Sequence, residues 1–249
     1  MDSLSVDIKN KSFPLKTLNK QGSILIFEDL NFKIKSGQFV SIFGPSGCGK
    51  TTLLNIISGL DKKFKGSVQL QNSKINSKEN ISYMFQSPRL FPWLSTIDNI
   101  KFPIRKQKNA EKIAIDLLKK IGLEKYKNQY PNRLSGGMQR RVALARAFAP
   151  NPSLLLLDEP FISIDEKISI SLRKLLIKLW KRNKPIIVFV THNLDEAIEL
   201  ADRICFLSDI PSKVLLDYKI NLRRPRNQNS QKFISLKRLL SSSTKTKKR

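Results

Sequence analysis

The 249-residue sequence predicts an α/β fold in which helices pack against a parallel β-sheet. Three apolar segments indicate this, because each has the length and the continuous hydrophobicity of a strand buried on both faces. Each is also followed by a short polar or glycine-containing stretch and then by helical spacing of apolar residues. The three segments are "QFVSIF" (38–43), "SLLLLD" (153–158) and "PIIVFV" (185–190).

The glycine-rich loop after the first strand predicts a phosphate-binding site. Gly44, Gly49, Lys50 and Thr51 match the pattern G-x-x-x-x-G-K-[ST]. Glycines let the backbone approach a ligand, and the N–H groups at the start of a helix favour anions. Lys50 can reach the β- and γ-phosphates of a nucleotide, and the Thr51 hydroxyl can ligate Mg²⁺. The motif matches at every fixed position and lies between a predicted strand and a predicted helix, which argues against a simple connecting turn as its role. The expected nucleotide-binding residues here are Gly44, Pro45, Ser46, Gly47, Cys48, Gly49, Lys50, Thr51 and Thr52.

The ends of the other two apolar strands carry candidate catalytic residues. Asp158 ends the second strand and is placed to hold the metal, while Glu159 can accept a proton from a water that attacks the γ-phosphate. His192, the only histidine, follows the third strand. A lone histidine is usually structural, but at the end of a parallel strand it can contact the γ-phosphate or orient the water.

The segment "RLSGGMQRRVALARAFA", which begins at Arg133, predicts a second anion-binding helix start. Ser135 is a good N-cap residue, and Gly136 and Gly137 precede apolar residues with helical spacing. Because one nucleotide has one γ-phosphate, a second cradle suggests either two chains that share their ligands or a second ligand.

Together these motifs resemble those of the ATP-binding subunit of ABC transporters. "GPSGCGKT" resembles the Walker A motif, "LLLLDEP" the Walker B motif with its catalytic glutamate, and "LSGGMQ" the ABC signature. Gln86 matches the Q-loop, Asp165 the D-loop and His192 the switch histidine. The resemblance covers residues 24 to 226. It implies a P-loop NTPase core of the ABC type, with a parallel sheet, an edge antiparallel β region and a helical subdomain.

The resemblance also implies the roles of the site residues and the partners. The implied catalytic residues are Lys50, Glu159 and His192, the metal ligands are Thr51, Gln86 and Asp158, and Gln86, Ser135, Gly136, Gly137 and Asp165 complete the ATP site. ATP and Mg²⁺ are the implied ligands. Two such subunits, identical or paired with a second ATPase, would form a head-to-tail dimer in which each ATP lies between Walker A of one and the signature of the other. The dimer would drive membrane-spanning permease subunits, with a solute-binding protein in the same system, from the cytoplasmic face of the inner membrane.

Finer sequence patterns suggest a branch of the family. Four segments resemble those of the nitrate/sulfonate/taurine importer ATPases: "FQSPRLFPWLSTIDNI", "LSGGMQRRVALARAFA", "DEPF" and "LRRPR". Members of that group, or close to it, are also associated with pyrimidine precursors of thiamine. The family usually has an aromatic residue that stacks on adenine, and by its spacing it should fall in "NKQG" (19–22), which has none. Phe13 or Phe27, on either side of this segment, could take its place. Ser163, Ile164 and Asn193 are milder departures from the family pattern.

The expected organisation is one ABC ATP-binding domain over 1–226, with a helical subdomain at about 87–150, followed by a basic, disordered tail over 227–249. No acidic residue occurs after Asp217. The first residues lack the order of a secretory signal, no apolar run is long enough to cross a bilayer, and two cysteines give no disulfide or zinc framework. We therefore expect a peripheral cytoplasmic protein with reduced thiols.

The net charge of +26 raises an alternative, an ABC ATPase of translation or DNA repair. Translation-type members carry two cassettes in one chain, and repair-type members carry long coiled coils or zinc hooks between the two halves. The interval from Gln86 to Leu134 contains neither a heptad run nor a cysteine pair. A small-molecule kinase would have no use for "LSGGMQ". We therefore expect no nucleic-acid partner.

Overall fold

A computed structural model describes residues 3–17, 20–71 and 81–246 of the chain. The chain divides into two compact units: the first comprises Met1–Asn76 and Ile186–Arg249, and the second comprises Ser77–Pro185. In the described ranges the strands are β1 (Ser3–Thr17), β2 (Lys20–Lys35), β3 (Phe39–Phe43), β4 (Lys65–Gln71), β5 (Ile81–Met84), β6 (Leu154–Asp158), β7 (Ile186–Thr191), β8 (Arg203–Leu207) and β9 (Val214–Lys219). The α-helices are α1 (Lys50–Ser58), α2 (Thr96–Lys101), α3 (Ala110–Ile121), α4 (Gly136–Phe148), α5 (Glu166–Asn183), α6 (Leu194–Leu200) and α7 (Gln231–Thr246).

The first unit contains an antiparallel sheet with the strand order β2-β1-β4. Leu4, Val6 and Ile8 alternate along β1 with more exposed residues, and each is at most 1% exposed. This period of two is that of a strand with one face on the core. The expected antiparallel β region is therefore present.

The first unit also contains four strands in the order β7-β3-β8-β9. β3 runs parallel to both β7 and β8, and β9 is antiparallel to β8. All six residues of β7 are buried, as a strand covered on both faces requires. The α/β class that the apolar runs predicted is confirmed.

The second unit pairs β5 with β6 in parallel and contains α2, α3, α4 and α5. The stretch predicted to be helical, 87–150, holds α2, α3 and α4 together with short 3-10 turns at Phe102–Ile104, Glu124–Tyr126 and Pro131–Arg133. α3 ends at Gly122, whose φ of 70° closes the helix in the left-handed conformation. The compact unit extends beyond this stretch in both directions, because it also includes β5, β6 and α5.

The prediction of a disordered tail is wrong for residues 231–246, which form α7. Phe233 and Leu240 are each 1% exposed. They are seven residues apart, which places them on one side of the helix, and their burial stabilises it. The prediction failed because the basic residues of this segment outnumber the few apolar residues that form the buried side of the helix. Residues from 227 onwards belong to the first unit, and the last three, 247–249, lie outside the described residues.

Candidate active site

The predicted phosphate loop lies between β3 and α1, with glycines in conformations that other residues rarely adopt. Gly47 has a φ of 81° and Gly49 a φ of 93°. A Cβ atom built on Gly49 would lie 2.6 Å from Cγ2 of Ile26 and 2.8 Å from Cζ of Phe27. Since real Cβ atoms do not approach other atoms so closely, only glycine fits at position 49 with its neighbours in place.

Lys50 is 6% exposed, and its ammonium group is held by the backbone of its own loop. Its Nζ donates hydrogen bonds to the carbonyl oxygens of Gly44 (2.9 Å) and Pro45 (2.8 Å). The loop thus curves around one positive charge at the first residue of α1, where the helix dipole adds further positive potential. Such a cradle suits phosphate groups. Thr51 is exposed at the same helix start, and Thr52 is half-buried.

Ser212, which no sequence motif indicated, fixes the backbone of the phosphate loop through hydrogen bonds. Its Oγ donates to the carbonyl oxygen of Cys48 at 2.6 Å, and its N–H donates to the carbonyl oxygen of Ile26 at 2.7 Å. Ser212 is fully buried although it is 164 residues from Cys48 in the sequence. Cys48 is itself buried, which raises the pKa of its thiol and disfavours the thiolate.

His192 follows the strand that is paired with the phosphate-loop strand. In the parallel register of β3 and β7, Phe43 is opposite Thr191, so the chain continues into Gly44 on one strand and into His192 on the next. The structure therefore places His192 at the carboxyl ends of the parallel strands, on the same side of the sheet as the phosphate loop, as predicted.

The turn after His192 is fixed by its own hydrogen bonds. The Thr191 hydroxyl donates to Glu196 at 2.6 Å and accepts from the N–H of Asn193 at 3.0 Å. Asn193 caps α6, because its Oδ1 accepts from the N–H groups of Asp195 and Glu196. The departure from the family pattern at Asn193 therefore keeps a helix-capping residue.

In the second unit, Asp158 and Glu159 lie at the end of β6. Asp158 is 4% exposed, and the hydroxyl of Tyr83 on the adjacent β5 donates to it at 3.4 Å. Burial, with the Asp158 carboxylate as the next cause, raises the pKa of Tyr83, so this phenol stays protonated as a donor. Glu159 has a φ of 42°, a conformation that costs free energy for a residue with a Cβ and is often found at functional sites.

Ser135 caps α4 as predicted, since its side chain accepts from the N–H of Met138 at 3.3 Å. Ser135 and Gly136 are exposed, so the start of this helix faces solvent. Gly137 lies against α5, where an added Cβ would come within 2.8 Å of Ile168. Asp165 caps α5 by accepting from the N–H of Lys167 at 2.8 Å. The second unit thus brings the starts of α4 and α5 together.

Gln86 follows β5 and is exposed. Its backbone carbonyl oxygen accepts from the Arg140 guanidinium at 3.1 Å. Sequence reasoning missed Arg140 because its contacts are with backbone atoms distant in the chain.

Mg²⁺ bound with nucleotides takes one or two protein oxygens plus phosphate oxygens. In the first unit the Thr51 hydroxyl at the start of α1 is an oxygen donor of this kind, and in the second unit the Asp158 carboxylate is another. Among the residues that the structure describes, no group of three or more His, Cys, Asp or Glu could hold a metal.

A glycine loop curved around a lysine at the start of a helix, beside a parallel strand, defines a P-loop nucleotide-binding protein. The ABC transporter family model matches residues 27–162. The aliphatic sulfonates import ATP-binding protein SsuB of Bacillus thuringiensis subsp. konkukian is 38% identical over 94% of this chain and 93% of its own length. SsuB 1 of Paracoccus denitrificans is 40% identical over 86% of each chain.

Among solved structures, the dimeric ATP-binding cassette MJ0796 bound to ADP and Pi has a TM-score of 0.73 and 32% identity. The match covers 88% of this chain and all of that one. The chain therefore belongs to the ABC transporter family and is an ABC-type ATPase. In the described ranges, no helix has the length and hydropathy to cross a membrane.

Proposed function

We propose that this ATPase energises the import of a small solute through separate membrane subunits. The observation that carries the proposal is the similarity to aliphatic sulfonates import ATP-binding proteins over more than nine tenths of both chains. Among nitrate, sulfonates, taurine and thiamine precursors, the names of these relatives favour a sulfonate. They also favour transport over translation or repair. A solute-binding protein and a location at the cytoplasmic face of the inner membrane are parts of the same proposal.

Each candidate residue has a role in this reaction. Lys50 and the loop N–H groups bind the β- and γ-phosphates. Thr51, Asp158 and Gln86 would hold Mg²⁺, which would neutralise charge on the phosphate oxygens. Glu159 accepts the proton of the attacking water, and His192 orients that water or contacts the γ-phosphate.

The start of α4 at Ser135, Gly136 and Gly137 acts on the nucleotide of a second subunit, with Asp165 nearby. Support comes from the exposure of Ser135 and Gly136 and from the dimeric form of the solved cassettes. The second subunit is another copy of this chain or a second ATPase subunit.

A mixing experiment tests this shared site. Lys50→Ala removes the fixed cation of the loop, and Ser135→Arg blocks the helix start, so each homodimer should lose about 100-fold or more in ATP turnover. If the site is shared, a mixed dimer has one site with both lesions and one site with neither. Mixing the two variants should then restore part of the activity.

The control is a mixture of two differently tagged Lys50→Ala preparations, in which no intact site can form. Heterodimers are isolated with the two tags before assay. Isolated heterodimers no more active than this control would contradict the shared site. Lys50→Ala turnover within a few-fold of the unmodified protein would contradict the role of the lysine.

An exposed aromatic cluster in the second unit is the proposed docking surface for a permease subunit. Trp93 is 70% exposed and Phe102 is 38% exposed. The ring of Phe91 lies 5.5 Å from that of Trp93 and 4.5 Å from that of Phe102. Exposed aromatic residues in one cluster are typical anchors at protein interfaces.

Replacing Trp93 with Ala tests this surface. Because Trp93 is mostly exposed, we expect ATPase activity of the isolated subunit to change less than twofold. Solute uptake by vesicles with the reconstituted transporter should fall at least tenfold. Leu60→Ala removes an exposed apolar side chain of the first unit (66% exposed) and is the matched control. Unchanged uptake with Trp93→Ala would contradict the docking surface.

A further inference from the structure

A single buried guanidinium in the second unit joins three backbone segments. Arg140 lies on α4 and is 9% exposed. Its Nη1 donates to the carbonyl oxygens of Gln86 (3.1 Å) and Pro160 (3.0 Å), and its Nη2 donates to that of Ile162 (2.8 Å). Gln86 is 54 residues before Arg140 in the sequence, and Ile162 is 22 residues after it.

The surroundings of Arg140 are costly for a charge. Burial lowers the pKa of its guanidinium, because the charged form is partly removed from water. Its hydrogen-bond partners within the described residues are three carbonyl oxygens. Burying a charge costs free energy, so a buried arginine is not explained by a gain in stability alone. Costly features of this kind are expected at functional sites.

The three carbonyl groups belong to segments that carry candidate catalytic residues. Gln86 is a candidate metal ligand, and Pro160 directly follows the candidate base Glu159. The N–H of Ile162 donates to the carbonyl oxygen of Glu159 at 3.2 Å, so both bonded groups after β6 belong to the turn that Glu159 begins. The positive φ of Glu159 persists only if neighbouring contacts hold this turn in place, and two bonds from Arg140 do so.

We propose that Arg140 is a positioning residue for ATP hydrolysis, which fixes the Gln86 segment and the turn after Glu159 relative to one another. The inference rests on the proposed roles of Gln86 and Glu159. A guanidinium suits this task because its planar fork directs several N–H groups at fixed angles. A lysine ammonium keeps the charge but presents one nitrogen, which cannot reproduce the spacing of all three bonds.

The test compares Arg140→Lys with Arg141→Lys. Arg141 is the next residue on α4, and its donors go to the Ile121 carbonyl oxygen (3.4 Å) and the Ser171 hydroxyl (3.0 Å), which belong to none of the candidate site segments. Both changes keep the charge and the helix position. We expect Arg140→Lys to lower kcat about tenfold, equivalent to about 1.4 kcal/mol in the barrier. We expect the Kd for a fluorescent ATP analogue to change less than twofold, since Lys50 and its loop are unaltered. Arg141→Lys should stay within twofold in both.

Two further measurements separate positioning from a general loss of structure. In a Glu159→Gln background, Arg140→Lys should lower the residual turnover by clearly less than tenfold, because the part of the effect that acts through Glu159 is already lost. Hydrogen–deuterium exchange should become faster in peptides covering both 84–90 and 158–164 with Arg140→Lys, and in neither with Arg141→Lys.

Several results would overturn the inference: equal kcat for the two variants, a full tenfold effect that persists in the Glu159→Gln background, or faster exchange in only one peptide. If Arg140→Lys does not fold, Arg140→Gln replaces it, and failure of both to fold assigns Arg140 to stability alone. The exchange measurement needs no ATPase activity. It therefore tests whether Arg140 holds the two segments in place even if the proposed roles of Gln86 and Glu159 are wrong.

Discussion

Gly49→Ala and Gly47→Ala separate two physical effects in the phosphate loop. Both glycines have positive φ, so alanine at either position costs about 1–2 kcal/mol in backbone strain. At Gly47 no atom lies within 4 Å of an added Cβ, whereas at Gly49 the Cβ would meet Ile26 and Phe27 at 2.6 and 2.8 Å. Overpacking of this kind adds about 1–3 kcal/mol. Gly49→Ala should therefore destabilise the protein by about 2–5 kcal/mol, and Gly47→Ala by about 1–2 kcal/mol.

Differential scanning calorimetry of both variants without nucleotide measures the difference. At about 2–4 °C per kcal/mol for a chain of this size, Gly47→Ala should lower Tm by about 2–8 °C. Gly49→Ala should lower it by about 2–12 °C more, since the extra cost is the overpacking alone. Equal shifts for the two variants would refute the reasoning, because they would show that the contacts of Gly49 with Ile26 and Phe27 do not restrict position 49.

Two further predictions concern stability in the first unit. Phe233→Ala should destabilise the protein by about 3–5 kcal/mol in urea unfolding, because a fully buried ring on α7 is lost, while the control Ile234→Ala, which is 37% exposed in the folded protein, should cost under about 1 kcal/mol. Similar small costs for both would mean that α7 is not packed as described. Asp61→Asn removes the carboxylate 2.6 Å from Lys11, whose side chain is 2% exposed and whose Nζ also donates to the Lys63 carbonyl oxygen at 2.9 Å. Because that second hydrogen bond remains, the change should cost about 1.5–3 kcal/mol at pH 7. Burial acts to raise the pKa of Asp61, but the hydrogen bond from Lys11 and further contacts outweigh it, and the pKa lies below its ordinary value. The contribution of Asp61 is therefore complete above the unfolded-state pKa of about 3.9 and is lost as the pH falls through the lower folded-state value. The stability difference between the unmodified protein and Asp61→Asn should stay constant from pH 7 to pH 5 and shrink below about pH 4, and a difference that is unchanged at pH 3 would contradict this account.

The sequence by itself determined the parts of this protein that depend on local patterns. The loop from Gly44 to Thr51 could be predicted because glycine, lysine and threonine at fixed spacing have a chemistry that neighbouring residues do not change. The strand before Asp158 could be predicted because a continuous apolar run is buried in any α/β sheet. The cap at Ser135 followed from the preference of helix starts for a hydroxyl acceptor.

Only the tertiary structure decided which distant segments meet. The pairing of β3 with β7 places His192 at the strand edge of the phosphate loop, and no local periodicity specifies that pairing. The burial of Phe233 turns a basic segment into a packed helix, because two apolar residues seven positions apart outweigh the charges around them. The three carbonyl groups around Arg140 come from segments up to 54 residues away. Arginine side chains are usually solvated, so only the folded chain shows that this one is buried and fixes the backbone beside Gln86 and Glu159.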